Sequence, residues 1–351
     1  MQRGWGVVEL AGMVWAQQVE RVLLAADVGG THARIGLVST RPDRRRPVTV
    51  LHYARYACAE WPGLAAVLRH FVDGLGGEYR IGECAVAIAG YVLDDAIIND
   101  TLPWRVSISE VRASLGIDRL EVLNDFEAVA WASQFLSRAE TRPVVDGGAA
   151  QTDGPVLVMG PGTGLGSAVL LPDQPRVRVI ATEAGQIALA PGNERELAIL
   201  RELLRERAHV CFEHVLSGPG LLNLYRVLCA LDGRAPAFAS PEGVTGAALA
   251  RGDATAVETL EIFCAWLGSF VGDLVLLYGA SGGVYLAGGI LPQIHDMLLV
   301  SAFAERFLNK GVMRPFLEQV PVRLMDHGQL GVIGAAGLFL EADAKHGRRD
   351  G

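Results

Sequence analysis

The sequence has few cysteines, and none of them lie close together. The five cysteines, Cys58, Cys84, Cys211, Cys229 and Cys264, are widely spaced in a chain of 351 residues, and no C-x-x-C pair occurs. Small disulfide scaffolds and cysteine-rich zinc sites both need closely spaced cysteines. The sequence therefore excludes these two classes and predicts reduced thiols in a cytoplasmic protein.

Clustered positive charge is also scarce. The formal net charge is −8, and the densest basic run, RPDRRRP at residues 41–47, is short and contains two prolines. A nucleic-acid-binding domain would carry a basic face or stripe. We therefore expect no nucleic-acid partner and interpret the basic run as a solvated loop.

No long apolar run is free of charge and glycine. The longest apolar region, residues 262–290, contains Asp273 and seven glycines, whereas a membrane-spanning helix needs about 20 mainly apolar residues. We expect a buried helix followed by a buried strand there, and no membrane partner. Residues 1–20 lack the clean apolar core of a secretory signal, so we interpret them as an N-terminal extension.

Glycine, in contrast, is abundant, with 42 residues. Near the start of the chain, two glycines separate two apolar runs that have the composition of strands. Residues 21–40 read RVLLAADVGGTHARIGLVST, so an apolar strand runs to Asp27 and a turn follows at Gly29, Gly30 and Thr31. Glycine allows a close approach to the backbone, and successive N–H groups in such a turn bind anions. An ordinary hairpin is the alternative for this stretch taken alone.

The same device occurs a second time. Residues 156–171 read VLVMGPGTGLGSAVLL, with an apolar strand, a turn at Gly162, Thr163 and Gly164, and another apolar strand. Two matched turns predict a phosphate group held between two related domains. No lysine follows the second turn, so it is not a Walker loop.

Apolar periodicity predicts strands that alternate with helices, which is typical of an α/β fold with a partly parallel sheet. The predicted strands are 22–26, 33–38, 48–56, 84–90, 120–123, 283–287 and 320–325. The predicted helices are 61–75, 108–115, 126–136, 194–209, 221–231, 245–249, 254–278, 294–309 and 330–344. Residues 141–155 are rich in Gly, Ala, Asp and Pro, and we expect a surface loop near a domain boundary.

Four acidic side chains have positions that suit phosphoryl transfer, a reaction that needs positioning and charge stabilisation. Asp27 would anchor Mg²⁺ through water, or else cap its turn. Asp125, beside Asn124, follows a predicted strand and would accept a proton from an alcohol, or else cap the next helix. Glu183 and Glu213 would each bind a vicinal diol, or else be surface acids.

The chain from residue 23 to about residue 340 resembles the bacterial glucokinases of the proteobacterial type, within the sugar kinase, Hsp70 and actin superfamily. The matching motifs, in order, are DVGGTHARIGL, LEVLNDFEAVAWA, GPGTGLGSA, HVCFEHVLSGPGLLNLYR and GGVYLAGGILP. The resemblance implies the two-domain actin-like ATPase (ribonuclease H-like) fold, an α/β fold with the active site in a cleft. It further implies a small domain, 21–135, completed by 327–345, and a large domain, 136–326.

The resemblance also implies roles for individual residues. ATP with Mg²⁺ would lie along the two glycine turns, with Gly288 and Gly289 near the adenosine, and O6 of glucose would attack the γ-phosphate. Asp125 matches the general base and Asn124 its sugar-binding neighbour. Glu183, Gln186 and Glu213 match positions that hold sugar hydroxyls. The family further suggests a cytoplasmic homodimer.

Two residues depart from the family pattern. Gln186 stands where the family usually has histidine, in Glu-Ala-Gly-Gln rather than Glu-Gly-Gly-His, and His32 replaces a common asparagine. Glutamine donates and accepts hydrogen bonds but cannot become cationic, and one lost sugar contact would cost about 1–3 kcal/mol. A kinase for another hexose, and a sugar-binding paralogue with weak catalysis, therefore remain alternatives.

Overall fold

The computed structural model describes residues 21–41, 46–98, 102–148, 151, 153–172, 177–325 and 328–346. The expected N-terminal extension, residues 1–20, lies outside these ranges, as do residues 42–45 of the basic run. The strands are β1 (Arg21–Val28), β2 (His32–Thr40), β3 (Val48–Ala57), β4 (Glu83–Ile88), β5 (Tyr91–Leu93), β6 (Ala96–Ile98), β7 (Val106–Ser107), β8 (Arg119–Leu123), β9 (Thr141–Val145), β10 (Val156–Pro161), β11 (Leu165–Leu171), β12 (Arg178–Thr182), β13 (Gly283–Leu286) and β14 (Val322–Met325). The helices are α1 (Leu64–Gly74), α2 (Ile108–Leu115), α3 (Asp125–Ser133), α4 (Glu194–Leu203), α5 (Gly218–Leu231), α6 (Pro241–Leu249), α7 (Ala254–Tyr278), α8 (His295–Val300), α9 (Phe303–Leu308), α10 (Arg314–Leu317) and α11 (Leu330–His346).

The first sheet has five strands in the order β3-β2-β1-β4-β8. Strands β1 and β2 form an antiparallel hairpin, whereas β4 runs parallel to β1 and β8 runs parallel to β4. Alternate residues of β1 enter two different cores. Leu24 and Ala26 pack with α1 and α2, while Leu23 and Ala25 pack with α3 and α11. Both faces of this sheet are therefore covered, as expected for parallel strands.

The second sheet has six strands in the order β12-β11-β10-β13-β14-β9. Three of its strands have the same arrangement as β1, β2 and β4 of the first sheet. Strands β10 and β11 form an antiparallel hairpin, and β13 runs parallel to β10. Each of the two predicted glycine turns lies at the tip of one of these hairpins. The internal repeat inferred from the sequence thus corresponds to two matching structural units.

Helix α7 is the central core helix beside the second sheet. It is 25 residues long, and large apolar residues such as Phe263, Trp266 and Phe270 are buried along it. Within the described ranges it alone is long and apolar enough to cross a membrane, but 67% of its most apolar stretch is buried in the fold. One of its three acidic residues, Asp273, pairs with Lys310 at 2.6 Å. The helix therefore has the character of a buried core helix.

The chain returns to the first sheet at its end. Helix α11 packs on β1, β2 and α3, and Phe339 is fully buried there. The hydroxyl of Tyr53 donates a hydrogen bond to the carbonyl of Gly328 at 3.0 Å, which fixes the segment before α11 against β3. We propose on this basis that 21–135 with 327–345 form the small domain and 136–326 the large one; within this division residue 327 lies outside the described residues.

The expectation of a loop across residues 141–155 is wrong at its beginning. Thr141–Val145 forms β9, which pairs antiparallel with β14 at the edge of the second sheet. Pro143 lacks an N–H group and suggested a loop, but an edge strand tolerates proline because one side of it needs no ladder partner. The segment is therefore the outermost strand of the large sheet.

The prediction of one long helix at 294–309 is also wrong, because the segment forms two short helices, α8 and α9. Ser301 has an extended backbone, and its hydroxyl accepts a hydrogen bond from the N–H of Phe303 at 3.2 Å, so it starts a new helix. Helix α4 ends at Leu203 rather than at 209. The small sheet β5-β6-β7 is missed by the sequence prediction, because its strands are only two or three residues long and too short to show an alternating pattern. The strand β12 is missed as well.

Two helical glycines provide a matched test of the packing between α3 and α11. A Cβ on Gly334 of α11 would overlap the main-chain carbonyl of Ala128 in α3, whereas a Cβ on Gly246 of α6 would meet nothing within 4 Å. We expect Gly334→Ala to lower the free energy of unfolding by about 1–3 kcal/mol and Gly246→Ala to raise it by about 0.5–1 kcal/mol. Urea unfolding measures both, and equal stability of the two variants would contradict this packing.

Candidate active site

The first glycine turn joins β1 to β2 and is held from outside by Cys58. Within the turn, the N–H of Gly29 donates to the carbonyl of His32 at 3.0 Å. The N–H of Cys58 donates to the carbonyl of Thr31 at 2.9 Å, and its thiol donates to the carbonyl of Gly29 at 3.4 Å. Gly30 stands between these anchored residues. The carbonyls are thus paired inside the protein, which is the arrangement that leaves N–H groups for an anion.

Asp27 lies one residue before the end of β1, on the face that α11 covers. Its carboxylate is 3.4 Å from the guanidinium of Arg34, and a Cβ on Gly331 near the start of α11 would overlap it. Burial raises the pKa of Asp27, although Arg34 opposes this shift. Burial disfavours the ionised form of this carboxyl group, and a nearby cation would stabilise it. Mg²⁺ prefers oxygen ligands, so both the oxygen atoms and the negative charge of Asp27 suit this ion.

The second glycine turn, Gly162-Thr163-Gly164, lies between β10 and β11. The N–H of Gly162 donates to the carbonyl of Gly164 at 2.8 Å, and the N–H of Gly218 donates to the carbonyl of Gly162 at 2.8 Å. The bend at Gly288-Gly289 touches this turn, because a Cβ on Gly288, whose φ is +92°, would overlap the carbonyl of Pro161. The structure therefore brings together the second turn, the bend after β13 and the start of α5.

Asn124 and Asp125 lie where β8 meets α3, at the end of the first sheet. The side chain of Asn124 caps α3, because its Oδ1 accepts the N–H of Glu127 at 3.0 Å. Asp125 is the first helical residue, and its Oδ1 accepts the N–H of Phe126 at 2.9 Å. The capping role considered for Asp125 thus belongs to Asn124, and Asp125 keeps one carboxylate oxygen for another partner.

The electrostatic environment of Asp125 is unusual for an aspartate. Burial raises its pKa to about 6, with further contributions from the negative charges of Asp27 and, more weakly, of Glu183. The influence of these two acids shows that the ends of β1, β8 and β12 converge. A carboxyl group that titrates near neutral pH is suited to general-base catalysis, because its ordinary form would be too weak a base.

A chain of hydrogen bonds holds the side chain of Glu213. One oxygen of Glu213 accepts the N–H of Leu165, directly after the second turn, at 2.8 Å, and the other accepts the side-chain amide of Gln186 at 3.1 Å. The carbonyl oxygen of that amide then faces the thiol of Cys211 at 3.5 Å. Gln186 therefore holds Glu213 in place. Glu183 directly follows the last residue of β12 and is exposed.

Sequence reasoning missed three of these contacts. Arg34 is directly opposite Asp27 in the hairpin register, so a careful pairing of β1 with β2 would have found it. The role of Cys58 at the first turn and the contact of Cys211 with Gln186 join segments that are distant in sequence, and no local pattern signals them.

The fold and the site define a class. Two matched sheets, each opening with a hairpin that carries a glycine turn, have the two-domain actin-like ATPase fold with a cleft between the domains. A glucokinase from an Antarctic psychrotroph has this architecture with a TM-score of 0.76 and 34% identity, covering 90% of this chain and 97% of that one. The hexokinase of the ROK family from Thermus thermophilus matches the fold with a TM-score of 0.62 at 21% identity, covering 92% and 100%.

Sequence comparison assigns the family. The Glucokinase family model matches residues 24–342. A glucokinase-like protein of Xylella fastidiosa (strain 9a5c) is 48% identical over 322 residues, which are 92% of this chain and 95% of that protein. A glucokinase of Saccharophagus degradans is 38% identical over 313 residues, 89% of this chain and 96% of that protein. The chain belongs to the glucokinase family.

The raised pKa of Asp125 predicts an effect on stability. Since the folded-state pKa of about 6 exceeds the ordinary value of 3.8, the ionised carboxylate destabilises the fold above pH 6, and this penalty disappears below about pH 4. We expect Asp125→Asn, which can keep the hydrogen bond from Phe126, to raise the free energy of unfolding by about 2 kcal/mol at pH 8. Urea titrations at pH 8 and pH 4 measure this difference, and a variant less stable at pH 8 would contradict it.

Proposed function

We propose that this protein transfers the γ-phosphoryl group of ATP to O6 of glucose, with Asp125 as the general base. The observation that carries the proposal is the position of Asp125 at the end of β8, with a pKa near 6 and one carboxylate oxygen outside its hydrogen bond to Phe126. As O6 attacks phosphorus, Asp125 takes the hydroxyl proton and ADP leaves. The family match over residues 24–342 supports this activity.

The nucleotide would lie between the two glycine turns. Backbone N–H groups at Gly30 and Thr31 and at Thr163 and Gly164 would bind the phosphates, while the N–H groups of Gly29 and Gly162 close their own turns. Gly288-Gly289 would lie near the adenosine. Mg²⁺, when bound, would neutralise part of the phosphate charge. Asp27 would hold this ion through a water molecule, since its oxygen donors and its largely buried charge suit a hard cation.

The sugar would be held by the polar groups around Asp125. Asn124 uses its side-chain oxygen to cap α3, so its amide N–H groups would serve a sugar hydroxyl. Glu183 and Glu213 would accept hydrogen bonds from hydroxyls, because a carboxylate has several acceptor sites. Gln186 would act on the sugar in two ways, through a direct contact and through its hydrogen bond to Glu213.

The proposal extends to the cellular setting and the assembly state. All five cysteines are buried and free of disulfides, which agrees with a reducing cytoplasm. The resemblance to bacterial glucokinases suggests a homodimer. Sedimentation of the purified protein would determine the assembly state.

One alternative has an observation in its favour. Gln186 replaces the usual histidine, and the relative from Xylella fastidiosa is described as glucokinase-like. A kinase for another hexose, or a sugar-binding protein with weak catalysis, would fit this change. A panel of hexoses compared by kcat/KM separates the first possibility, and glucose binding without detectable phosphorylation would support the second.

The test of the base is Asp125→Asn in a coupled assay with glucose and ATP. The amide cannot take the proton, so we expect kcat to fall about 100-fold or more, while glucose affinity, measured by calorimetry, stays within a few-fold of the original. The matched control is Asp118→Asn, an exposed aspartate just before the opposite end of β8, for which we expect full turnover. Unaltered turnover in Asp125→Asn would contradict the assignment.

A further inference from the structure

A row of charged side chains crosses the first three strands beside the first glycine turn. Asp27 of β1 is directly opposite Arg34 of β2, and Arg34 is directly opposite Arg55 of β3. Opposite residues in antiparallel strands project from the same face. This is the face that α11 covers further along the sheet, where Tyr53 reaches Gly328. The two arginines therefore lie on the same face of the sheet as the carboxylate proposed to hold the metal ion.

The two arginines differ in what they contact. Arg34 is paired with Asp27 at 3.4 Å. Arg55 is exposed, and none of the carboxylates that the structure describes lies within 4.0 Å of its guanidinium. Instead, one of its nitrogens lies 3.0 Å from Nε2 and 3.3 Å from Nδ1 of His32. An atom this close to both ring nitrogens lies over the ring face rather than beside its edge.

His32 connects this guanidinium to the glycine turn. Its Nδ1 is 3.1 Å from the hydroxyl of Thr31. Burial, followed by the charges of Arg55 and Arg34, lowers the pKa of His32, although Glu60 opposes the shift. The lowered pKa favours the neutral ring, which supports the guanidinium without charge repulsion.

The acidic side chains of the site create a need for positive charge if a triphosphate is to bind. Asp125 is influenced by the negative charges of both Asp27 and Glu183, so a triphosphate would enter an acidic environment. Backbone N–H groups carry only partial charges. A guanidinium matches the geometry of phosphate oxygens, and one without a carboxylate partner is available to bind them.

We propose that Arg55 is a further phosphate-binding residue for ATP, positioned beside the first glycine turn by stacking on His32. This inference rests on the proposed nucleotide site. It also gives the unusual His32 a function, because the ring serves as the support for the cation. The expected contact is between the guanidinium and the phosphate oxygens, with no proton transfer.

The test is calorimetry with Mg²⁺ and the ATP analogue AMPPNP at saturating glucose. We expect Arg55→Ala to raise the Kd of AMPPNP about tenfold or more, Arg55→Lys to recover part of the loss, and His32→Asn to give a smaller increase. The Kd of glucose should stay the same in all three. The matched control is Arg69→Ala, an exposed arginine of α1 paired with Asp73 at 2.8 Å, which should leave both affinities unchanged.

The outcomes separate this inference from the proposed site. An unchanged AMPPNP affinity in Arg55→Ala, with normal binding by the original protein, would overturn the role of Arg55 alone. An equal loss of glucose and AMPPNP binding would also overturn it, because that result indicates a general disturbance. Failure of the original protein to bind AMPPNP would overturn the proposed nucleotide site itself.

Discussion

The convergence of three carboxylates is the constraint on which this site depends. Asp27 comes from the end of β1, Asp125 from the start of α3, and Glu183 from the segment after β12. Burial disfavours the ionised form of a carboxyl group, and a neighbouring negative charge disfavours it further. At Asp125 burial is the larger cause, the charges of Asp27 and Glu183 add to it, and the pKa rises to about 6. A fold that retains such a cluster gives up stability there, and this is typical of sites where the charges have a chemical use.

The rest of the architecture connects this cluster to the two glycine turns. On one side, Cys58 fixes the first turn through the carbonyls of Gly29 and Thr31. On the other side, Glu213 joins Gln186 to the second turn, because its carboxylate accepts both the amide of Gln186 and the N–H of Leu165. Helix α3 spans both halves, since the ring of Phe126 occupies the space where Gly166 of β11 would carry a side chain. The residue that follows the proposed base thus packs directly against the second sheet.

Much of this could be predicted from the sequence, because the main signals are local. Each apolar strand that ends in a Gly-Thr turn, together with the strand after it, is a short continuous stretch of sequence. The buried helix α7 has the bounds that its apolar pattern predicts. The edge strand β9 could not be predicted, because its pairing with β14 joins residues about 180 positions apart. The break between α8 and α9 depends on the backbone of Ser301, and serine is compatible with both a helix and its interruption.

The site was predictable in its residue types but not in its couplings. Asn124 and Asp125 both had the character of helix caps, and only the geometry assigns the cap to Asn124. The contacts of Gln186 with Glu213 and of Arg55 with His32 join separate segments. The most direct test of the account is an NMR titration of the Asp125 side-chain carboxyl in the unliganded protein, assigned by its loss in Asp125→Asn. The account predicts a midpoint near pH 6, and a midpoint near the ordinary value of 3.8 would contradict it.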